Sequence, residues 1–312
     1  MDSFNTSYCR PLNLSINVEG RGLIFRDLPQ GRSFDRFLVR LVDRGNREAA
    51  SGDFMRGGMK YISTEDIPDG KYTLQVFHST PDIRRFRGYL ENGEAIIRIN
   101  GGRPSFCEPW PLRDNISVTG RFSCSSRTRQ ELLREEDSYP CRHHEIRRIA
   151  SVITAGIEDN YGKMLAVHDW VAENVFYDED SIRLINGAIG ALPRSTMEVL
   201  KTRRAVCLGY SDLAVALLRA SGIPSVTLSC FALGQGTRGG WECPENRINS
   251  TNHAFTAALM GHRYVLMDIT WDSDNVYSGR QYHYKTGFGR SRKFFDMSAL
   301  LLSASHRLID LP

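Results

Sequence analysis

The stretch Ala205–Gly222, AVCLGYSDLAVALLRASG, constrains this chain more than any other. Leu213, Ala216, Leu217 and Ala220 recur at three and four residues and predict a helix. Gly222 suits its C-terminal cap, and Pro224 prevents it from continuing. Cys207 stands just ahead of this helix, with Arg203 and Arg204 shortly before it. A side chain at a helix start faces unpaired backbone N–H groups and the positive end of the dipole, surroundings that suit an anion. Taken alone, a cysteine reads more often as a small buried hydrophobe than as a nucleophile. The residues that change that balance come later in the chain.

A chain of 312 residues is long enough for two domains. Hydrophobic residues make up 41% and charged residues 24%, an ordinary globular balance. The net charge of +4 is small and scattered, which argues against nucleic acid as a partner. Seven cysteines at irregular spacing argue against a disulfide framework. No apolar run is long enough to span a membrane, and the N-terminus has no basic segment followed by an apolar one. Both point to a cytoplasmic location. Cys124, Cys141, His143 and His144 lack the paired spacing of a structural zinc site, so neither a metal nor a cofactor is expected.

Leu12, Leu14, Ile16 and Val18 alternate with polar residues, as do Phe37, Val39 and Leu41, then Tyr72, Leu74 and Val76, then Ala95, Ile97 and Ile99. Short alternating strands between glycine and proline turns predict a small β-sandwich-like accessory domain over 1–119. Residues 120–144 read as a polar linker, and helical periodicity begins near Glu145. Residues 145–312 are expected to form the catalytic domain. Leu165, His168, Val171 and Val175 predict one buried helix face, on which His168 reads as a packed, hydrogen-bonded histidine. Asn160 is a possible cap for that helix. Leu184–Leu192 reads as a loop or strand, and Arg290, Arg292 and Lys293 as a solvated basic loop ahead of the alternative, a grip on a substrate carboxylate or phosphate.

The decisive segment is HAFTAALMGHRYVLMDITWD. A two-residue turn at Gly261 and His262 sets Met260 opposite Arg263 and Leu259 opposite Tyr264. Further out it pairs Ala257 with Leu266, Phe255 with Asp268 and His253 with Thr270. His253 and Asp268 then become diagonal neighbours on one sheet face. Asp268 lies in the apolar run Val265–Ile269, where a carboxylate needs a hydrogen-bond partner. Cys207, His253 and Asp268 together supply a nucleophile, a base and a group that orients the base.

These residues carry a family resemblance. KMLAVHDWVAENVFYD, RRAVCLGYSDLAVALLRASGIPS, NHAF and VLMDITWD, in this order, resemble the transglutaminase-like superfamily, whose fold is papain-like. The resemblance covers roughly Glu145 to Asn275. It departs from the family at Val206, where glycine commonly precedes the nucleophile, and at Ile269, where proline often stands. It implies an α+β fold, with helices packed on an antiparallel sheet, behind the β-sandwich-like domain. It also implies cysteine-nucleophile acyl transfer on a peptide or protein substrate. The catalytic residues would be Cys207, His253 and Asp268, with Tyr177 and Trp241 as candidates for the oxyanion donor or cleft rim. Hydrolysis of an amide ranks first, amine transfer to protein glutamine second, and a non-catalytic peptide-binding module third. Oligomeric state is left open.

Overall fold

The computed structural model describes residues 3–4, 14–27, 36–79, 87–90, 95–119, 125–186, 194–234, 237, 240–247, 249–284, 292–297 and 299–310. Cys9, Leu12, Cys124, Arg290 and most of Leu184–Leu192 lie outside the described residues. The fold is mixed α+β and divides into two units. Unit one holds Met1–Arg113, Gly239–Trp241 and Met297–Ser305; unit two holds Asp114–Arg238, Glu242–Asp296 and His306–Pro312. Among the described residues, no helix is long and apolar enough to cross a membrane.

Unit one is built on two antiparallel sheets. One orders Ser3–Phe4, Leu14–Val18, Gly22–Asp27 and Met59–Ser63. The other orders Arg103–Phe106, Ile96–Asn100, Gly70–Ser79, Arg36–Val42 and Glu48–Met55, with Arg87–Leu90 also pairing with Gly70–Ser79. The alternation read from the sequence is realised in burial. Val39, Leu41, Leu74, Val76 and Ile97 are fully buried, while their sequence neighbours reach solvent to varying degrees. Burying every second residue lets each strand cover one face of the core while the pleat turns the other face away. The helix Ala299–Ser305 also groups with this unit.

Unit two is organised around the helix Cys207–Ala220. The heptad-like face foreseen in the sequence is only part of its buried surface. Every residue from Gly209 to Arg219 except Asp212 is buried, so the helix runs through the core rather than along its edge. Arg219 tolerates burial because its guanidinium donates to the carbonyls of Ser225 and Arg134 and to Glu136. Gly222 caps the end with φ of 77°, a conformation that favours glycine.

Two sheets flank this helix. One is antiparallel throughout and orders Arg263–Met267, His253–Met260, Ser225–Ala232 and His306–Asp310. The smaller one orders Arg204–Ala205, Phe176–Asp178, Val276–Ser278 and Gln281–His283, and its first two pairings are parallel. The helix Asn160–Asn174 packs on the central helix through Met164, Val167 and Val171. Asp159, rather than Asn160, caps it, accepting from Gly162 N at 2.7 Å. Its buried stripe includes Asp169, which the sequence reading did not place inside.

Candidate active site

The first turn of the central helix starts at Cys207 itself. Val206 is the preceding residue and offers no side-chain cap to the helix N-terminus. Cys207 is partly exposed and not in a disulfide. Gly209 allows this placement: a Cβ there would stand 2.8 Å from Ala205 Cβ and 3.0 Å from Val199 Cγ2. The helix start can therefore lie close against the strand Arg204–Ala205 and the helix Thr196–Thr202. Tyr210 ties the same turn to the next wall of the site, its hydroxyl donating to Val175 O at 2.8 Å.

The hairpin forms with the register counted from the sequence over Thr256–Met260 and Arg263–Met267. Beyond that the count fails. The ladder ends at Met267, and the expected pairs Phe255 with Asp268 and His253 with Thr270 do not form. Asp268 leaves the strand to cap the helix Ile269–Asp272, its Oδ1 accepting from Trp271 N at 3.2 Å. A short residue that accepts a backbone N–H at a helix start makes this exit favourable. His253 and Asp268 meet nonetheless. His253 Nε2 donates to Asp268 Oδ2 at 2.6 Å.

Asp268 is fully buried. Burial alone would raise its pKa, but the charge and hydrogen bond of His253 and the hydrogen bond of His306 hold it well below the usual carboxylate range. His253 shows the reciprocal effect. Burial pulls its pKa down, but the Asp268 charge and hydrogen bond, with a further hydrogen bond to Cys207, raise it to about 10. With Nε2 committed to Asp268, Nδ1 is the nitrogen left for the thiol. The structure therefore brings together the three residues that the sequence singled out.

Tyr177 lies in the strand Phe176–Asp178 and is half-buried. Its hydroxyl is pushed up to about 12, first by burial and then by Cys207, Asp268 and Glu179 nearby. It makes no hydrogen bond to a described residue. Trp241 is different. Its indole N–H is already engaged, donating to Ser303 O at 2.8 Å and Ala304 O at 3.1 Å within unit one. That N–H is not available as an oxyanion donor, which corrects the oxyanion half of the expectation for Trp241.

The sequence reading missed His306. This fully buried histidine donates from Nε2 to the same Asp268 Oδ2 at 3.1 Å. The ligand atoms of His253, Asp268 and His306 lie within 4.8 Å of one another, a donor set that a metal could use. The separations of 2.6 and 3.1 Å from Oδ2, however, are those of hydrogen bonds in which both rings donate. No signal local to position 306 announces it, since it arrives through a strand pairing with Ala232.

A second buried cluster lies near the first. His168 is fully buried, with Nδ1 3.2 Å from Asp169 Oδ1 and Nε2 3.0 Å from Asp272 Oδ2. It is a packed, hydrogen-bonded helix histidine, as its position suggested. Burial lowers its pKa, but the bonds to Asp169 and Asp272 outweigh that and raise it. Arg292 binds Asp169 through Nε at 2.9 Å and through its second nitrogen. The reading of Arg292 as solvated is thus corrected: a buried carboxylate recruits it.

Residues 147–269 match the family model of the transglutaminase-like superfamily. Over these residues the chain resembles that superfamily. The chain is 21% identical over 186 residues to kyphoscoliosis peptidase of Mus musculus, covering 60% of this chain and 26% of that protein. It therefore spans about a quarter of the mouse relative's length. Among solved structures, it aligns with a candidate cysteine protease from Cytophaga hutchinsonii at 15% identity and a TM-score of 0.36, covering 76% of this chain and 72% of that one. It also aligns with red sea bream transglutaminase at 11% identity and a TM-score of 0.34, covering 91% of this chain and 53% of that one. Members of the superfamily are typically cysteine-dependent enzymes.

Proposed function

We propose that this protein is a cysteine-nucleophile enzyme that hydrolyses amide bonds in peptides or proteins, with Cys207, His253 and Asp268 as its catalytic residues. One observation carries the reading: His253, hydrogen-bonded through Nε2 to the buried carboxylate of Asp268, lies close enough to the helix-start thiol of Cys207 for that thiol to raise its pKa. The name of the mouse relative, a peptidase, supports hydrolysis over amine transfer.

In the proposed reaction, the proton of the Cys207 thiol already rests on His253, whose raised pKa favours the imidazolium, and the sulfur attacks the carbonyl carbon from this ion pair. The oxyanion is met by the Cys207 backbone N–H, which no side chain caps, and by the Tyr177 hydroxyl. His253 returns the proton to the leaving amine as the carbon–nitrogen bond breaks, which leaves a thioester. Water then attacks the thioester while His253 takes its proton, and the carboxylic acid and free thiol are released. Asp268 holds the ring through Nε2 and stabilises its charged form throughout.

The test is to incubate the protein with a mixed peptide library, with and without a primary amine, and read the products by mass spectrometry. New termini from wild-type protein and none from Cys207→Ser are the expected result. Products carrying the amine would move the assignment to amine transfer. An identical product pattern from wild-type and Cys207→Ser would contradict the catalytic reading and favour a binding module.

A further inference from the structure

His306 lies beyond the stretch that matches the superfamily model, which ends at residue 269. Its ring is nevertheless inside unit two and aimed at the carboxylate that holds His253. Its backbone is held by named partners. The backbone at 306 pairs with Ala232 of the neighbouring strand. Asn115, itself fully buried, clamps it from the other side: Nδ2 donates to His306 O at 2.9 Å, and Oδ1 accepts from Leu308 N at 2.8 Å. The imidazole packs against Trp271, with ring centroids 4.4 Å apart, and lies 5.5 Å from the His253 ring.

We propose that His306 is a positioning residue of this site, its Nε2–H fixing Asp268 in the rotamer that receives His253. The inference rests on the catalytic reading above. Asp268 has three donors to satisfy it: His253 and His306 on Oδ2 and the Trp271 backbone on Oδ1. The demands on these donors differ. The His253 ring exchanges its proton during the reaction, so its bond to Asp268 changes strength at each step. His306 has no part in the path of that proton in the proposed reaction. It supplies a donor that does not change, so the carboxylate stays ionised and in place while His253 cycles. A buried carboxylate that lost this donor would hold its charge less well and would be freer to turn from the ring.

The test uses the full chain with His306→Phe, which keeps an aromatic ring but no donor, and His306→Gln, which returns an N–H near the same position. Peptide hydrolysis should lose about tenfold to 100-fold in kcat with KM little changed in His306→Phe, the range found for groups that orient a reacting residue from behind. His306→Gln should recover most of it. The second readout needs no turnover. In 15N-histidine spectra, the acid transition by which the His253 ring senses Asp268 protonation should move to higher pH in His306→Phe and return in His306→Gln. In the wild-type protein, the His306 ring should carry its proton on Nε2. An acid transition unmoved by His306→Phe would overturn the proposal, as would a wild-type His306 with an unprotonated Nε2. Because the wild-type spectrum needs no variant to fold, the idea can fail on that result alone. Loss of all Cys207-dependent hydrolysis in wild-type protein would instead overturn the catalytic reading, and the spectra would still judge the His306–Asp268 bond.

Discussion

Unit two buries two histidine–carboxylate clusters, and they are built in opposite senses. In one, a single carboxylate, Asp268, serves two imidazoles, His253 and His306. In the other, a single imidazole, His168, bridges two carboxylates, Asp169 and Asp272, and Arg292 binds the first of these. The carboxylates Asp268 and Asp272 bracket one short helix, so the two clusters share a scaffold. Both contain titratable groups shifted far from their ordinary values, His253 in one and Asp169 in the other, so the shifts alone do not separate a catalytic centre from a structural one. What separates them is a thiol. His253 has a ring nitrogen left over for Cys207, whereas both nitrogens of His168 are occupied by carboxylates. A histidine with both nitrogens committed serves as a bolt: it ties the helix Asn160–Asn174 to the segment that follows Asp268.

The comparison can be broken first at the reacting side. Asp268→Asn removes the charge and leaves the His253 ring without its orienting acceptor. Peptide hydrolysis should fall roughly 10³- to 10⁴-fold. Steady-state kinetics would check it, and a variant within a factor of ten of wild type would mean that Asp268 belongs with the bolt rather than with the thiol.

The next largest effect belongs to the other cluster. His168→Leu would leave Asp169 and Asp272 buried without their shared partner, at a cost of about 3–5 kcal/mol in stability. Thermal or denaturant unfolding should show that loss. In the fraction that remains folded, Cys207 should stay as reactive as in wild type. An unchanged unfolding transition would show that the bolt carries no load.

A smaller effect sharpens the contrast through pH. His253 and His168 both have folded pKa values raised above the ordinary histidine value of 6.5, His253 to about 10. Their contribution to stability is complete below about pH 6.5 and is lost as pH rises through the folded values. Asp268 and Asp169 have lowered values, so their contribution is present above about pH 4 and is lost on acidification. Melting temperature should therefore be highest between about pH 4 and 6.5 and decline on both sides. His253→Gln should flatten part of the alkaline decline and leave the remainder to His168. A decline that the variant does not alter would assign the whole effect to the bolt.

The two clusters also differ in how much of them could be read from sequence. Cys207 was legible because helix periodicity and a glycine stop mark where its helix lies. His253 and Asp268 were legible because a two-residue turn and a period of two fix which residues share a face. Even there, the pairing held only as far as Met267, since a sequence count does not foresee a carboxylate leaving the strand to cap a helix. His306, Asp169 and Arg292 were not legible. Each reaches its partner across a long span of chain, 38 residues from Asp268 to His306 and 123 from Asp169 to Arg292. Nothing in the local pattern of RSRKFF separates an arginine that pairs with a buried carboxylate from one in water. The oxyanion role expected of Trp241 failed for a similar reason, because its N–H is taken by carbonyls about sixty residues away, at Ser303 and Ala304.

The most direct test of the central claim, that His253 activates Cys207, is brief labelling with sub-stoichiometric iodoacetamide near neutral pH, read site by site by mass spectrometry. Cys107 and Cys243 are partly exposed, as Cys207 is, and serve as internal controls. In wild-type protein, Cys207 should be labelled well ahead of both, and His253→Ala should slow it by about tenfold or more while leaving the controls unchanged. Labelling spread evenly over the three cysteines, and the same in the variant, would contradict the account.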